Sequence, residues 1–426
     1  MEIRLAYGKS GLTVDLPEEL TTVIEPVYRE GLPNQKAAVA HALENPLDSP
    51  PLSSLGGKEK SVAIAVCDAT RPMPSHLVVP EILRQLKGVP KDKVTILVAT
   101  GTHRPSTRQE LERMLGSAVL EEFTVLNHSA FDESSLEDLG TSCEGTPIWL
   151  NRKWLEAELR ITTGFVEPHF FAGFSGGPKL VAPGLAGIET IMSLHSAKLI
   201  GHPDSTWGIV EQNPLHRAIR EVASLTGVSF ALDVTINRDH RITSVFAGEL
   251  FKEHAKACSV ARETAMQSVS NPFDIVVTTN SGYPLDLNLY QSVKGMSAAA
   301  RIVKQDGVII CAAECSDGVP RHGEYAEILA SAKDASSLLE MINEPGYSRQ
   351  DQWEAQVQAL VQQKAKVYLK SSFLTDDEVR AAHLTPTDDV AATVLKEVVA
   401  RGSDCTVCVL PEGPQTIPYL LESQQR

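Results

Sequence analysis

The fold is indicated by residues 94–116, which read V-T-I-L-V-A-T-G-T-H-R-P-S-T-R-Q-E-L-E-R-M-L-G. The first six residues are apolar or β-branched without interruption, which is typical of a strand covered on both faces of a sheet. A helix is expected next, because Thr107 and Glu110 have the spacing of a capping box and Gly116 is a natural stop. Between strand and helix, a short polar loop carries His103.

The same order recurs along the chain. Further apolar runs, S-V-A-I-A-V at 61–66 and L-R-I-T-T at 159–163, alternate with helical patterns. This alternation predicts the α/β class, with sheets whose functional loops collect at the carboxyl ends of strands.

The length of 426 residues favours two domains. A polar Ser-Asn-Pro at 270–272 precedes a new strand, F-D-I-V-V-T-T-N. We therefore predict an N-terminal cofactor-binding α/β domain over 1–270 and a C-terminal α/β domain over 271–426. A long helix is expected near 250–268. The final strand, C-T-V-C-V-L, and the tail after it are left open between the two domains.

Composition excludes several classes of protein. Acidic residues number 54 against 39 basic ones, and the formal net charge of −15 repels polyanions, so no nucleic-acid partner is expected. No apolar run approaches the roughly 20 residues that span a bilayer, and the first residues lack the order of a signal peptide. A cytoplasmic protein without membrane association is expected. Its seven cysteines are interpreted as reduced, including the C-x-x-C of Cys405 and Cys408.

Two predicted strand-end loops carry polar side chains. C-D-A-T-R-P-M-P presents Asp68, Thr70 and Arg71 after the apolar run 61–66. Arginine here can grip a carboxylate or phosphate with two hydrogen bonds, although a solvated Asp–Arg pair is the simpler alternative. The loop with His103 lies between a buried strand and a helix start, which favours function over a structural histidine.

A glycine-rich turn marks the third loop. Ser175, Gly176 and Gly177 precede Pro178 and Lys179. Glycine lets backbone N–H groups approach an anion closely, and the lysine can neutralise charge or act as a nucleophile. A phosphate or phosphorylated cofactor is the first interpretation, but the P-loop motif is absent, which disfavours conventional ATP binding.

Two histidines flank this turn. His169 lies among apolar residues, a setting that would keep imidazole neutral and able to accept a proton. His195 is either a surface residue or a metal ligand. No second histidine lies at helical spacing from it, so a metal there would need ligands from outside the protein.

The predicted C-terminal domain has its own strand-end loop, S-G-Y-P-L-D-L-N-L-Y-Q-S-V-K-G. Tyr290, Gln291 and Lys294 follow it, and Tyr290 and Lys294 share one helix face. Trp353 is interpreted as amphipathic-helix packing or as one wall of a cleft between the domains.

Together these loops resemble the lactate racemase family that depends on a nickel-pincer nucleotide. The motifs that carry the resemblance are D-A-T-R-P, A-T-G-T-H-R, E-P-H-F-F-A-G-F-S-G-G-P-K-L-V-A-P-G, S-L-H-S and L-Y-Q-S-V-K-G. The resemblance extends from L-A-Y-G-K near residue 5 to L-P-E-G-P near residue 410. It implies two α/β domains with the active site in the cleft between them.

The resemblance also implies a cofactor, pyridinium-3-thioamide-5-thiocarboxylic acid mononucleotide, whose two sulfur-bearing arms and ring carbon hold nickel. By position, Lys179 matches the lysine of the thioamide tether and His195 the nickel ligand. His103 and His169 match the paired acid/base histidines. Cofactor-maturation proteins that supply the nickel nucleotide are implied as partners.

The substrate implied is a small 2-hydroxy acid. Arg71 and Lys294 match residues that hold its carboxylate and oxygen. The remaining predicted contacts are Tyr290, Gln291 and Trp353 for the substrate, and Asp68, Thr70, Ser175, Gly176 and Gly177 for the cofactor.

The chemistry explains why such a cofactor is needed. A 2-hydroxy acid has a Cα–H of very low acidity, so inversion by deprotonation would need more stabilisation than two histidines supply. Hydride transfer avoids the carbanion: one histidine takes the hydroxyl proton, and a planar 2-oxo acid turns before hydride returns to its other face. One alternative is a non-catalytic carrier of the nickel nucleotide, which would leave His103 and His169 idle. Another, an NAD-dependent dehydrogenase, is weakened because no G-x-G-x-x-G follows a predicted strand.

Overall fold

The computed structural model describes residues 1–320 and 323–421, and the chain divides into two compact units. Unit 1 consists of Met1–Val27, His195–Pro203 and the described part of Glu263–Arg426. Unit 2 consists of Tyr28–Leu194 and Asp204–Arg262. The sequence interpretation assigned all of residues 1–270 to one domain, whereas here the first strands join the C-terminal half. Residues 422–426 of the predicted C-terminal domain lie outside the described residues.

The elements alternate between strand and helix over most of the chain. The strands are β1 Glu2–Leu5, β2 Leu12–Asp15, β3 Thr21–Val23, β4 Val62–Cys67, β5 Val94–Ala99, β6 Thr124–Asn127, β7 Leu136–Thr141, β8 Pro147–Asn151, β9 Leu159–Phe165, β10 Pro168–His169, β11 Gly173–Phe174, β12 Phe230–Ile236, β13 Ile242–Gly248, β14 Met266–Val269, β15 Phe273–Thr279, β16 Val303–Ala312, β17 Ala365–Lys370, β18 Thr385–Pro386, β19 Val407–Leu410 and β20 Ile417–Leu420. The helices are α1 Gln35–Glu44, α2 Leu52–Leu55, α3 Ser75–Gln85, α4 Arg108–Leu115, α5 Ser117–Glu122, α6 Arg152–Glu156, α7 Ile188–Leu194, α8 Ala197–Ile200, α9 Pro214–Thr226, α10 Leu250–Ala265, α11 Leu289–Ala300, α12 Tyr325–Ala330, α13 Ala335–Ile342, α14 Gln352–Lys364, α15 Asp376–Ala381 and α16 Val390–Arg401.

Unit 2 is built on a sheet of order β13-β12-β9-β4-β5-β6 within the described chain. All neighbours are parallel except β13, which pairs antiparallel with β12. Strand β4 is buried along its whole length, as expected for an uninterrupted apolar strand in a covered sheet. The predicted α/β class with parallel sheets is confirmed.

The parallel order brings three polar loops to one edge of this sheet. In the register of β4 and β5, Cys67 lies opposite Ala99, and in that of β4 and β9, Ala65 lies opposite Thr162. The chain therefore leaves β4, β5 and β9 at the same end. The loops that follow are those with Asp68, with His103 and with His169, as the strand-end rule for α/β sheets requires.

Unit 1 has a second sheet, of order β18-β17-β16-β15-β19-β3 in the described residues, and all its pairs are parallel. Its core packs apolar strand residues such as Ile275, Val277 and Ile310 against Val390 and Val394 of α16. The final predicted strand lies in this sheet, between β15 and β3.

One predicted element was wrong at its end. The helix expected over 250–268 ends at Ala265, and Met266–Val269 form β14, which pairs with β20. The partner strand lies about 150 residues further on, so local helical preference could not reveal the pairing.

Two further observations concern whole-chain properties. In residues 1–320 and 323–421, no helix has both the length and the hydropathy required to cross a bilayer. All seven cysteines are free thiols, and Cys143 is the exposed one among them. Cys405 and Cys408 are both buried, and Cys408 lies in β19, in agreement with a structural role.

Helix α4 offers a test of the local sequence signals. Thr107 and Glu110 form the predicted capping box, with the Glu110 side chain accepting from the Thr107 N–H at 2.7 Å. We expect Thr107→Ala to lower the free energy of unfolding by about 1 kcal/mol, measured by urea titration, because an N-terminal N–H of the helix loses its acceptor. Thr107→Ser keeps a hydroxyl and should lose much less. Equal losses in the two variants would contradict the capping role.

Candidate active site

The first loop of unit 2 holds a buried carboxylate that contacts a histidine. Asp68 Oδ1 accepts from the Thr70 hydroxyl at 2.7 Å and from the Thr70 N–H at 3.2 Å. Its other oxygen, Oδ2, lies 2.6 Å from His103 Nδ1. Asp68 is thus hydrogen-bonded to both Thr70 and His103. These contacts orient the histidine, and the predicted cofactor contacts of Asp68 and Thr70 stay predictions.

The charge of Asp68 determines which tautomer His103 adopts. Burial would raise the pKa of Asp68, but hydrogen bonds from His103 and Thr70 and the charges of His103 and Arg71 outweigh it, so the pKa lies below its usual value. An ionised carboxylate only accepts hydrogen bonds, so His103 Nδ1 must carry a proton. In the neutral ring, Nε2 therefore has the lone pair. The His103 side chain is 46% exposed, which leaves this nitrogen accessible for proton transfer.

The third loop holds His169 in a different way. Its Nδ1 accepts from the Ala172 N–H at 3.3 Å and from the Phe171 N–H at 3.5 Å. The ring also contacts two phenylalanines, with centroid distances of 5.0 Å to Phe170 and 4.5 Å to Phe171. Because Nδ1 is the acceptor here, the neutral ring carries its proton on Nε2.

The two histidines thus present opposite tautomers. His103 offers a lone pair at Nε2, which can accept a proton, and His169 offers an N–H at Nε2, which can donate a hydrogen bond. Both bonds to His169 Nδ1 are long, so a change of tautomer there gives up little hydrogen-bond energy. A site with one ready base and one ready donor is suited to acid/base chemistry on a hydroxyl group.

Residues 175–180, named here the lysine loop, follow these histidines in the sequence and include two residues with positive φ. Gly176 and Gly177 have φ values of 74° and 49°, which favour glycine. A Cβ at Gly177 would lie 2.4 Å from His254 Cγ, so the loop is packed closely against its own protein.

The polar groups of the lysine loop are bound internally. The Gly177 N–H donates to Asp233 Oδ2 at 2.8 Å, and the Ser175 hydroxyl donates to the Phe165 carbonyl at 2.7 Å. The predicted cofactor contacts of Ser175, Gly176 and Gly177 stay predictions. In this structure the turn donates its Gly177 N–H to a protein carboxyl group.

Lys179 follows the glycines in a short 3-10 turn, Gly177–Leu180. Its side chain is half-buried, and Nζ lies 5.9 Å from the ring centroid of Phe171. The amine is thus presented beside the aromatic residues that also surround His169. Arg71, in contrast, is exposed, and its backbone N–H donates to the Asp68 carbonyl at 3.2 Å.

In unit 1, the predicted site residues of α11 lie at its start. Asn288 caps the helix by accepting from the Gln291 N–H at 3.1 Å. The Lys294 ammonium donates to Gln291 Oε1 at 2.7 Å, which fixes both side chains relative to each other. The Trp353 indole N–H donates to the Tyr290 hydroxyl at 3.0 Å, so α14 and α11 join in one polar cluster.

His195 belongs to the same unit. It is 8% exposed, and its ring centroid lies 4.6 Å from that of Trp353. Gln356 Nε2, one turn after Trp353, donates to the Ala197 carbonyl at 2.8 Å and ties the segment after His195 to α14. Across residues 1–320 and 323–421, no group of three or more His, Cys, Asp or Glu side chains is arranged to hold a metal ion. A metal at His195 would therefore have fewer than three such ligands from the described residues.

Sequence reasoning missed three buried acids. Asp233 interrupts the apolar strand F-A-L-D-V-T-I, and this interruption was a visible signal. Glu253 lies on the buried face of α10, and Glu354 lies beside Trp353 on α14 with 1% exposure. Burial raises the pKa of Glu354, and the charge of Lys294 opposes the shift. Two of these acids interact with residues that the sequence did identify: Asp233 with Gly177, and Glu354 with Lys294.

Comparison with known proteins bears on both halves of the chain. The family model described as lactate racemase N-terminal domain matches residues 7–208, and the one described as lactate racemase C-terminal domain matches residues 268–417. A lactate racemase from Thermoanaerobacterium thermosaccharolyticum is 36% identical over 424 residues, which cover 97% of this chain and 98% of the relative. A lactate racemase from Lactiplantibacillus plantarum is 34% identical over 417 residues, which cover 96% and 98%.

Solved structures agree. The lactate racemase apoprotein from Thermoanaerobacterium thermosaccharolyticum matches with a TM-score of 0.92 and 35% identity, over 98% of this chain and 100% of that one. A protein from Thermotoga maritima matches with a TM-score of 0.68 and 21% identity, over 92% of this chain and 100% of that one, which shows a shared fold. The chain therefore belongs to the lactate racemase family and is an isomerase.

Proposed function

We propose that this protein inverts the C2 centre of a small 2-hydroxy acid, with His103 and His169 as the acid/base pair. The observation that carries the proposal is the opposite tautomers of these two rings, one bound to the Asp68 carboxylate and the other to backbone N–H groups. In an inversion, hydrogen leaves C2 from one face of the substrate and returns to the opposite face. The reaction therefore needs a proton acceptor on one side and a proton donor on the other.

Membership in the family implies a nickel-dependent cofactor, and we propose that it is a nickel-pincer nucleotide attached to Lys179. The residues present fit such a group. Lys179 offers an amine on a closely packed loop, and His195 offers one imidazole, with no group of three or more His, Cys, Asp or Glu ligands among the described residues. A nickel centre with so few protein ligands would take its other donors from the nucleotide. When bound, the cofactor would accept hydride from C2 and return it.

The proton steps follow from the side chains. His103 Nε2 takes the proton of the substrate hydroxyl as hydride leaves C2, and Asp68 stabilises the imidazolium that forms. The substrate is then a planar 2-oxo acid. Returning a proton to its oxygen from the other side requires His169 to carry two protons, so its Nδ1 must release the N–H groups of Phe171 and Ala172. The exposure of His103 lets the pair exchange protons with water between turnovers.

Arg71 and Lys294 are proposed to hold the substrate's carboxylate and oxygen. Arg71 is exposed on its loop, and a guanidinium can bind a carboxylate with two parallel hydrogen bonds. Lys294 is held in place by Gln291, and Tyr290 and Trp353 are proposed to line the same substrate site. Side chains fixed in this way lose little conformational entropy when the substrate binds.

Lactate is the proposed substrate, because both curated relatives carry the name lactate racemase. Incubating cofactor-loaded protein with single enantiomers of lactate and of larger hydroxy acids, and following optical inversion, ranks the candidates. We further propose a cytoplasmic location and dependence on maturation proteins that supply the nickel nucleotide.

The hydride step has a direct isotopic test. Substrate deuterated at C2 should be inverted in ordinary water with deuterium retained at C2, since the hydrogen travels as hydride and returns to the same carbon. NMR of the product measures this retention. Replacement of deuterium by solvent hydrogen in the inverted product would mean that C2 is deprotonated, and the proposal would fail.

The histidines should separate loading from turnover. We expect His103→Ala and His169→Ala each to lower kcat by about 10²- to 10⁴-fold, the usual contribution of a positioned acid or base. The fraction of Lys179 that carries the cofactor, measured by peptide mass, should stay at the wild-type level. The exposed His76 provides a matched control, and His76→Ala should change neither quantity. Wild-type turnover in either site variant would remove that histidine from the mechanism.

The attachment point is tested at Lys179 itself. Lys179→Arg keeps the positive charge but has no primary amine to form a thioamide, so we expect no covalent adduct and no racemase activity in matured protein. Lys198→Arg, at an exposed lysine of α8, should load and turn over normally. An unmodified Lys179 in fully active wild-type protein would exclude the tether.

A further inference from the structure

A buried pair of acids lies beneath the lysine loop. Asp233 is 1% exposed in the middle of β12, and Glu253 is 0% exposed on α10. Within the described residues, no N–H or hydroxyl donor reaches Asp233 Oδ1 or either carboxyl oxygen of Glu253. Two carboxyl groups bind each other only through a proton, because an ionised carboxylate has no donor.

Burial favours the protonated form of both acids. Burial raises the pKa of Asp233 to about 7, although its hydrogen bonds to Gly177 and Glu253 oppose the shift. Burial and the nearby charge of Asp233 raise the pKa of Glu253 well above its usual value. Both shifts favour a proton on this pair of acids at neutral pH.

The lysine loop is built around this pair. A Cβ at Gly176 would lie 3.0 Å from Asp233 Oδ2, and a Cβ at Gly164, on the neighbouring strand β9, would lie 2.1 Å from Asp233 Oδ1. The absence of both side chains lets the carboxyl reach the Gly177 N–H. Consecutive glycines with positive φ form a concave anion site, and here a protein carboxyl fills it.

Helix α10 supports the loop at a second point. His254 follows Glu253, and its Nε2 donates to the Ser175 carbonyl at 2.9 Å. Burial lowers the pKa of His254 to about 4, so the ring is neutral and this bond does not depend on its charge. The bonds at the Gly177 N–H and the Ser175 carbonyl thus add to that of the Ser175 hydroxyl in fixing the lysine loop.

We propose that Asp233 is a positioning residue for cofactor attachment, which fixes the lysine loop through the Gly177 N–H and is itself held by a proton shared with Glu253. The link to attachment rests on the proposed function, whereas the effect on the loop does not. Neither acid touches the substrate or the cofactor in this scheme. Their role is to keep the backbone before Lys179 in the conformation that presents its amine.

The test compares Asp233→Ala with Asp233→Asn. Alanine removes the acceptor, whereas asparagine keeps an oxygen for the Gly177 N–H and adds donors toward Glu253. The matched control is Thr235→Val on the same strand, which removes a buried hydroxyl bonded to Thr243 at 2.8 Å and leaves the loop untouched. Amide hydrogen exchange over residues 175–180 is measured in protein without cofactor, and the modified fraction of Lys179 is measured by peptide mass after maturation.

We expect Asp233→Ala to lose at least about tenfold in protection of the Gly177 amide, since its acceptor is gone, and several-fold in Lys179 modification. Asp233→Asn should recover most of both quantities, and Thr235→Val should retain both. If Asp233→Ala does not fold, Asp233→Asn decides. The proposal is overturned if Asp233→Asn leaves the Gly177 amide unprotected or Lys179 unmodified. Unchanged protection in a folded Asp233→Ala also overturns it. If Lys179 is unmodified in the matured wild type, the proposed function is refuted. Hydrogen exchange at Gly177 then still tests whether Asp233 fixes the lysine loop.

The shared proton has its own signature. The raised pKa of Asp233 means that between about pH 4, where an unfolded aspartate titrates, and about pH 7 the folded protein binds more protons than the unfolded chain. Stability is thus lost as pH rises through this window. We expect the urea midpoint to fall from pH 5 to pH 8 in the wild type and less in Asp233→Asn. Equal falls would show that Asp233 holds no proton and overturn this part. The groups whose charge acts on the pair and its neighbours are Cys67, Lys179, Arg220, Glu249, His254, Cys258 and Arg262.

Discussion

The parallel register of β9, β4 and β5 is the constraint on which the site in unit 2 depends. Because these strands end at one edge of the sheet, the loop after β4 and the loop after β5 are neighbours, and Asp68 can bond to His103 at 2.6 Å. An antiparallel neighbour would carry its following loop to the opposite edge. The tautomer of His103, and with it the ability of that ring to act as a base, is thus a consequence of strand direction.

Three of the proposed functional residues, His103, Lys179 and Lys294, have a buried carboxyl group nearby. Asp68 is hydrogen-bonded to His103, and Asp233 is hydrogen-bonded to the loop of Lys179. Glu354 lies close enough to Lys294 for their charges to interact. Such acids orient the exposed group and hold it without needing to move during the reaction, which is the usual means by which proteins preorganise a site. The low exposure of all three acids makes these interactions stronger than they would be in water.

Much of the fold could be predicted from the sequence because its signals are local. The strand 94–99, the capping box at Thr107 and the positive φ of the Gly-Gly turn each follow from a few adjacent residues. The partner of Gly177 could not be predicted in this way, because Asp233 lies 56 residues away and meets it only through strand pairing. For the same reason, the end of α10 was predicted too late, because the partner strand of Met266–Val269 lies far along the chain.

The position of β19 has a consequence for synthesis on the ribosome. This strand, Val407–Leu410, lies between β15 and β3, so the first described sheet partner of Thr21–Val23 is made almost 400 residues later. Unit 2 has all its strands once residue 262 has left the exit tunnel, whereas the strand near the amino terminus must wait unpaired for the last part of the chain. Long-range parallel pairing of this kind folds slowly. The nascent chain therefore carries this strand without its sheet partner for most of its translation, when chaperones would have the most to protect.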